Sequence, residues 1–366
     1  MKLTNIINNF NIDGLILTDG YNIHYLTGYK GHTGCLLAIK DKRYILTDSR
    51  YTEQVSIEAP EYVCVDVGLD GYSKTISKLI LDVYTGQSNK DYESIRIGFE
   101  NEHISYKQYK AFLNQFEMDF KGKLELVELA ESINNLRMVK TLSEQEKIAR
   151  AEAIGDEAFK HILSVIRPGI SEKAVAMELE YTMRSLGAEG LSFDTIAASG
   201  PNSSLPHAVP SDRIIAEGDF LTMDFGCIYE GYCSDMTRTV FIGSNPSEKQ
   251  LEVYNVVLQA QIEAMKLIKP GVKCSDVDAC ARNIIADKGY GEYFGHGLGH
   301  SVGLFIHEEP RFSRKCDTIL EEGMVLTVEP GIYLPGEFGV RIEDVIVVTA
   351  DGYRNLTTSP KELICL

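Results

Sequence analysis

Four carboxylates at matched places in two similar stretches of chain are the residues best equipped for chemistry. The first stretch reads IIAEGDFLTMDFGCIY from Ile214 and the second ILEEGMVLTVEPGIY from Ile319. Superimposing them pairs Gly218 with Gly323, Leu221 with Leu326, Thr222 with Thr327, Asp224 with Glu329 and Gly226 with Gly331, each 105 positions apart. A second acid follows in each copy: Asp235 in CSDMTRT, eleven residues after Asp224, and Glu343 in VRIEDV, fourteen after Glu329. An internal repeat has supplied two pairs of acids.

Such pairs suit metal binding if strands hold them. FLTMDFG and YCSDMTRTVFIG are rich in β-branched and aromatic residues and flank Tyr229-Glu230-Gly231. They predict a hairpin centred between Tyr229 and Glu230, with Asp224 and Asp235 equidistant from the turn. The second pair centres on Gly336. Cross-strand partners have Cβ atoms about 4.5–5.5 Å apart, close enough for two carboxylates to hold one ion or bridge two. If the halves pack about a pseudo-two-fold axis, all four acids converge, and without cations they would repel strongly. Two divalent ions would balance them.

The elements that must position these residues fall into two regions. The chain has 366 residues, 44% hydrophobic and 24% charged, enough for two domains with real cores. In residues 1–128, DGLILT, GYNIHYLTGY, GCLLAIK, RYILTDSRY and IRIGFE read as strands, interleaved with helices over Tyr72–Tyr84 and Ile104–Phe116. That is an α/β domain. The boundary falls near residue 128, and residues 129–366 form the second domain. There a long helix is predicted from Ser143, with S-E-Q-E as a capping box. IRPGISEKAVA resembles IKPGVKCSDVDA 102 residues later, and in each a Pro-Gly ends one helix and a serine, Ser171 or Ser275, starts the next. Each half therefore reads helix, helix, hairpin, and two halves make a curved, mainly antiparallel sheet backed by helices.

Three histidines share the segment GYGEYFGHGLGHSVGLFIHEEP. His296 and His300 are four apart, as in the H-E-x-x-H motif of zinc proteases, but Gly297 replaces the glutamate. The five glycines at 291, 295, 297, 299 and 303 also cost a helix up to about 1 kcal/mol each. Glycine here instead lets the backbone approach a ligand closely. Beside four carboxylates His300 reads as a metal ligand. His207, in SSLPHAVPSD, belongs on a loop near the first hairpin. His24 and His32 read as structural residues of the first domain, and His103 and His161 as surface or helix residues.

Net charge of −17 disfavours nucleic acid and anionic membrane as partners, because both need a positive face. The start of the chain lacks the features of a signal peptide, and no apolar run approaches the ~18 residues that span a bilayer. The expectation is a cytoplasmic protein. The eight cysteines contain no C-x-x-C pair and read as reduced, mostly buried thiols.

The motifs LTMDFG, SDMTRT, GHGLGH, TVEPGIY and VRIED occur in the order found in the creatinase, aminopeptidase P and prolidase family, which the chain resembles over essentially its whole length. The resemblance implies an α/β fold in which a creatinase-like N-terminal domain precedes a pita-bread catalytic domain. It implies Asp224, Asp235, His300, Glu329 and Glu343 as ligands of a dinuclear site, and an oxygen-rich donor set with one histidine suits divalent ions, Mn²⁺ foremost, with Co²⁺, Fe²⁺ or Zn²⁺ as alternatives. It further implies Glu329 as general base, His207 and His307 as catalytic residues of the pocket, and His296, Arg311, Tyr333 and Arg341 as substrate-binding positions. Creatinase and some binding relatives have lost metal ligands, whereas this chain keeps all five. The expected activity is Xaa-Pro peptide hydrolysis by a homodimer. Competing readings are a hydrolase of other specificity on the same metal site and a catalytically silent peptide-binding scaffold.

Overall fold

A computed structural model of the protein describes residues 2–31, 33–85, 94–130 and 132–366, so His32 lies outside the described residues. The chain divides into two compact units, Met1–Leu136 and Arg137–Leu366.

The first unit is built on a six-stranded sheet ordered Val63–Asp66, Lys42–Thr47, Cys35–Ile39, Gly14–Leu17, Ile95–Phe99, Leu124–Glu128. The three central strands are antiparallel, and the outer strands join in parallel. Both faces are covered, as strand Cys35–Ile39 shows. Leu36 and Ala38 pack into one cluster with Ile23 and Val55, while Cys35, Leu37 and Ile39 pack into another with Ile76, Ile80, Phe112 and Phe116. One expected strand is absent. GYNIHYLTGY is instead a helix, Gly20–Thr27, because the Asp19 carboxylate caps the Tyr21 amide and Gly28 ends the turn in the left-handed region at φ 81°. A local cap has overridden a strand-like composition.

The second unit repeats the expected order. Helices Leu142–Ile162 and Glu172–Ser185 back strands Ile196–Ser199, Phe220–Phe225 and Met236–Phe241. Helices Glu248–Leu267 and Cys274–Asp287 back the strands of the second half, including Val325–Val328 and Asp344–Val348. Each half has its own core, with Phe159, Leu179 and Met183 against Leu221, Met223 and Phe225 in the first, and Val257, Ala264 and Val277 against Leu326, Val328 and Ile346 in the second. Helix starts differ from expectation in two places. The long helix is capped by Thr141 in a box with Glu144, ahead of Ser143, and Ser275 lies inside a helix whose N-cap is Lys273, where the chain pairs with Ile319.

Two hairpins carry the acids, and their registers differ. In the first, Glu230 and Gly231 both take positive φ, 47° and 83°, so the turn centres between them and Thr237, not Asp235, faces Asp224. Asp235 is then a diagonal neighbour of Asp224. In the second, Val328↔Asp344 on one side and Gly331↔Arg341 on the other place Glu329 opposite Glu343, centred on Gly336 as expected. The strands of the second unit fall into four hydrogen-bonded sheets among the described residues, all antiparallel as expected. The halves are stitched by the Glu343 amide donating to the Thr237 carbonyl (3.1 Å) and by Thr239 Oγ1 bonding both the amide and the carbonyl of Arg341.

Candidate metal centre

Asp235, His300 and Glu343 each present one donor atom to a common point, all within 4.8 Å of one another, and all three side chains are buried. Glu329 joins them: its Oε1 lies 3.5 Å from His300 Nε2, the same distance at which Asp235 Oδ2 sits. Asp224 faces the same cavity with one oxygen committed, because Oδ2 accepts from Arg341 Nη2 at 2.6 Å. Its Oδ1 is buried without any hydrogen-bond partner. An orphaned carboxylate oxygen beside three further acids, two of them buried, lacks its natural counterpart.

The backbone elements explain why these atoms meet. His300 stands on strand Gly299–Ser301, pressed against Thr327: a Cβ on Gly299 would lie 2.1 Å from the Thr327 carbonyl. A Cβ on Gly297 would come within 2.9 Å of the Phe312 carbonyl. These glycines admit neighbouring backbone, and both also line the cavity over the donors. Surrounding hydroxyls orient the donors. Thr237 Oγ1 donates to Glu343 (2.7 Å), and the His300 amide donates to Thr327 Oγ1 (3.0 Å). A proton on His300 Nδ1 meets the Ser301 carbonyl at 3.2 Å, which leaves the Nε2 lone pair directed at the acids.

Electrostatics point the same way. Burial, then the neighbouring carboxylates, raise Asp235 and Glu343 well above the ordinary carboxylate range. Burial pushes Glu329 up to about 8 and His300 down to about 3. A neutral imidazole among oxygen donors suits a divalent cation. Asp224, Asp235, His300, Glu329 and Glu343 therefore fit a metal and would hold it.

A cavity of ≈ 630 Å³ opens over these donors, lined also by His207, His296, His307, Arg311, Tyr333 and Arg341. The structure thus brings every site residue named from the sequence to one cavity, with differing engagement. Arg341 is fully committed, donating to Asp224, to Tyr333 Oη (2.7 Å), to Thr237 Oγ1 (3.0 Å) and to the Pro206 carbonyl (3.3 Å). Tyr333 Oη lies 3.0 Å from His296 Nε2, whose Nδ1 meets the Gly297 carbonyl at 2.8 Å. Burial, then the Arg341 charge, pushes His296 down to about 4, so its ring is neutral and Nε2 accepts the tyrosine proton. His307 stacks edge-on against His300 with ring centroids 4.6 Å apart. Its pKa is lowered by burial and then by Arg311. His207 and His307 stay exposed, and Arg311 is about half exposed and paired with Glu309 at 3.0 Å.

Three buried acids behind this wall were missed from the sequence. Glu172 accepts from the amides of Ser199 and Ser211, both serine hydroxyls and Asn202, closing the base of the loop that carries His207. Asp278 accepts from the Leu298 amide and pairs with Arg282, which donates to the Phe294 and His296 carbonyls. Glu152 accepts from the Asp235 amide at 2.8 Å. Glu152 had one available signal, since it continues a helical stripe of Ile148, Ala151 and Gly155 that is otherwise small or apolar.

Residues 146–350 match the sequence profile of Metallopeptidase family M24, and residues 1–139 match the Creatinase/Prolidase N-terminal domain. The chain belongs to family M24. It is similar to the uncharacterized peptidase YqhT of Bacillus subtilis, 45% identical over 365 residues that cover 100% of this chain and 99% of that one. Among solved structures it resembles an Xaa-Pro dipeptidase from Bacillus anthracis (TM-score 0.89, 43% identity, 100% and 99% covered). It also resembles an X-Pro aminopeptidase from Thermotoga maritima (TM-score 0.87, 38% identity, 99% and 100% covered). This M24 chain is a metal-dependent peptidase, a hydrolase whose pita-bread catalytic domain follows a creatinase-type N-terminal domain. Among the described residues no helix is long and apolar enough to cross a membrane.

Proposed function

We propose that this M24 peptidase cleaves the bond between an N-terminal residue and proline, using two divalent ions, Mn²⁺ in the first instance. The supporting observation is a complete set of five donors beneath a cavity walled by His207, His296, His307 and Arg311. Full-length similarity to both a dipeptidase and an aminopeptidase of Xaa-Pro substrates carries the same reading to the substrate class. When bound, the ions supply Lewis-acid polarisation and a nucleophilic water at neutral pH.

The chain's own residues do the rest. Glu329 Oε takes the proton released by the nucleophile and returns it to the departing proline nitrogen. His207 and His307, at the mouth, donate hydrogen bonds to the oxygen that gains charge in the transition state. Arg341 holds the unused face of Asp224 and fixes Tyr333. Proline explains the need for such a dedicated site, because an Xaa-Pro nitrogen carries no hydrogen and recognition by strand-like N–H donors is lost. A homodimeric, cytoplasmic protein completes the proposal, and the eight free thiols accord with a reducing compartment.

The test is hydrolysis of Gly-Pro and of a longer Xaa-Pro peptide after reconstitution with Mn²⁺ or Co²⁺, beside matched peptides with alanine for proline. Metal content near two ions per chain and cleavage confined to proline substrates are expected. Equal cleavage of the alanine peptides removes the proline reading, and a chain that takes up no metal removes the catalytic one.

A further inference from the structure

A buried charged cluster lies outside the donor set described above. Arg137, Lys140 and Glu308 are 6%, 3% and 4% exposed, so two cations meet one carboxylate in the interior. Arg137 Nε is 3.1 Å from Glu308 Oε1, and Lys140 Nζ is 3.0 Å from Oε2 and donates to Ser301 Oγ at 2.7 Å. Burying three charges is expensive unless geometry satisfies them, so their place in the fold is informative. Glu308 follows His307 and Ser301 follows His300. The strands carrying these residues change register there, pairing His300 with Arg311 but Ser301 with Glu308. Such a bulge re-aims side chains beside a site and must be held in place.

The Glu308 carboxylate is what the intervening loop wraps. Its Oε1 accepts from the Phe305 amide at 3.2 Å, and a Cβ on Gly303 would stand 2.5 Å from Oε2. The His307 imidazole has no hydrogen-bond partner among the described residues, and its ring contacts are with His300 and Phe305. Its direction is therefore set by its backbone, which ends on the clamped carboxylate. On the other side Lys140 is fixed by its own backbone, its amide donating to the Gly323 carbonyl (2.9 Å) and its carbonyl accepting from Gln145.

We propose that Arg137, Lys140 and Glu308 form a positioning device that holds the His300–His307 bulge and so sets the His307 imidazole over the donor cluster. They are positioning residues, acting through His307, and the inference rests on the reading of His307 as part of the peptidase site.

The experiment uses the full-length, metal-reconstituted protein and the variants Lys140→Met, Gly303→Ala, His307→Ala and the double Lys140→Met/His307→Ala. Gly303→Ala pushes on the carboxylate without removing a charge, and it decides the question if Lys140→Met fails to fold. With an Xaa-Pro peptide, kcat in each of the first two variants should fall by about 10²-fold, the scale of a misplaced catalytic group. KM and metal content should stay near wild type. The double variant should be no slower than His307→Ala alone. Losses that multiply in the double, or a Gly303→Ala protein of full activity, overturn the proposal. A second arm reads His307 without turnover: in ¹³C-histidine-labelled protein its ring resonance, identified by its absence from His307→Ala, should move in both variants while that of His161 stays. An unmoved His307 resonance also overturns the device, whereas a wild type inactive on proline peptides with a moving resonance faults only the substrate reading.

Discussion

At the scale of single residues, the site divides between groups that are already satisfied and groups that are not. Arg341 has four acceptors and Tyr333 sits between Arg341 and His296, so these residues hold the wall. His207 and His307 are exposed at the mouth and available to a substrate. Replacing either by alanine should lower turnover by about 10²–10³, the effect of losing one oxyanion donor, with metal content intact. Loss of an ion in either variant would reassign that residue to the ligand set. Arg311 is a different case. Its pairing with Glu309 joins two side chains 48% and 41% exposed, a contact of little net worth, so the guanidinium can serve a substrate carboxylate. A dipeptide ending in proline offers that carboxylate beside the scissile bond, whereas a longer peptide does not. Arg311→Ala should therefore raise KM for Xaa-Pro dipeptides roughly ten- to a hundred-fold, the equivalent of a charge-assisted bond of about 1.5–3 kcal/mol, and leave tripeptides nearly unchanged. Equal effects on both would make Arg311 structural.

At the scale of elements, loops hold the histidines and buried acids hold the loops. Glu172 satisfies two amides, two hydroxyls and an asparagine amide at the base of the His207 loop. Glu172→Ala leaves those donors buried, at about 1–3 kcal/mol for each that finds no water. The denaturation midpoint should drop accordingly, and turnover should fall with metal retained. A variant of wild-type stability would show that the loop closes without it. The difference between what could and could not be read from the chain lies at this scale. The acid pairs were legible because duplication repeats them at a fixed spacing on strands whose alternation is local. The second hairpin's register followed from symmetry about Gly336, while the first shifted because Glu230, unlike most non-glycine residues, accepts a positive φ. Gly20–Thr27 was misread because aromatic residues outweighed one capping aspartate. Glu172, Asp278 and Glu308 were not legible at all. An acid in a helix or strand reads as solvated until the chain returns to bury it: Ser199 and Ser211 return to Glu172 27 and 39 residues later.

At the scale of the whole molecule, the buried carboxylates tie stability to pH and metal together. Glu329 and Glu152 are pushed up to about 8 from an ordinary value of 4.5, principally by burial. Between those values the folded protein binds more protons than the unfolded chain, so folded-state stability is present below the unfolded value and is lost as pH rises through the folded one. Every tenfold difference in proton affinity between the two states is worth about 1.4 kcal/mol. In the presence of a chelator the melting temperature should therefore fall from pH 5 toward pH 8. Bound divalent ions replace the proton on Glu329, though not that on Glu152, and keep the ligand acids ionised, so with Mn²⁺ the decline should flatten. Identical pH slopes with and without metal would show that these acids do not carry the effect.

The second hairpin has one more consequence. Glu329 and Glu343 are zipped on both sides, by Val325–Val328 against Asp344–Val348 behind and Gly331–Leu334 against Phe338–Arg341 ahead. The tip, Pro335-Gly336-Glu337, is exposed, and its tethers, the Gly336 amide on Ser204 Oγ and Glu337 on Lys249, lie outside the ladders that pair the two strands. Lengthening a flexible loop costs only about 0.6 kcal/mol per doubling, so this tip is the natural port for a spliced-in reporter. A fluorescent module or affinity tag placed after Gly336 would ride directly above the metal-binding strands without altering the distance between their acids.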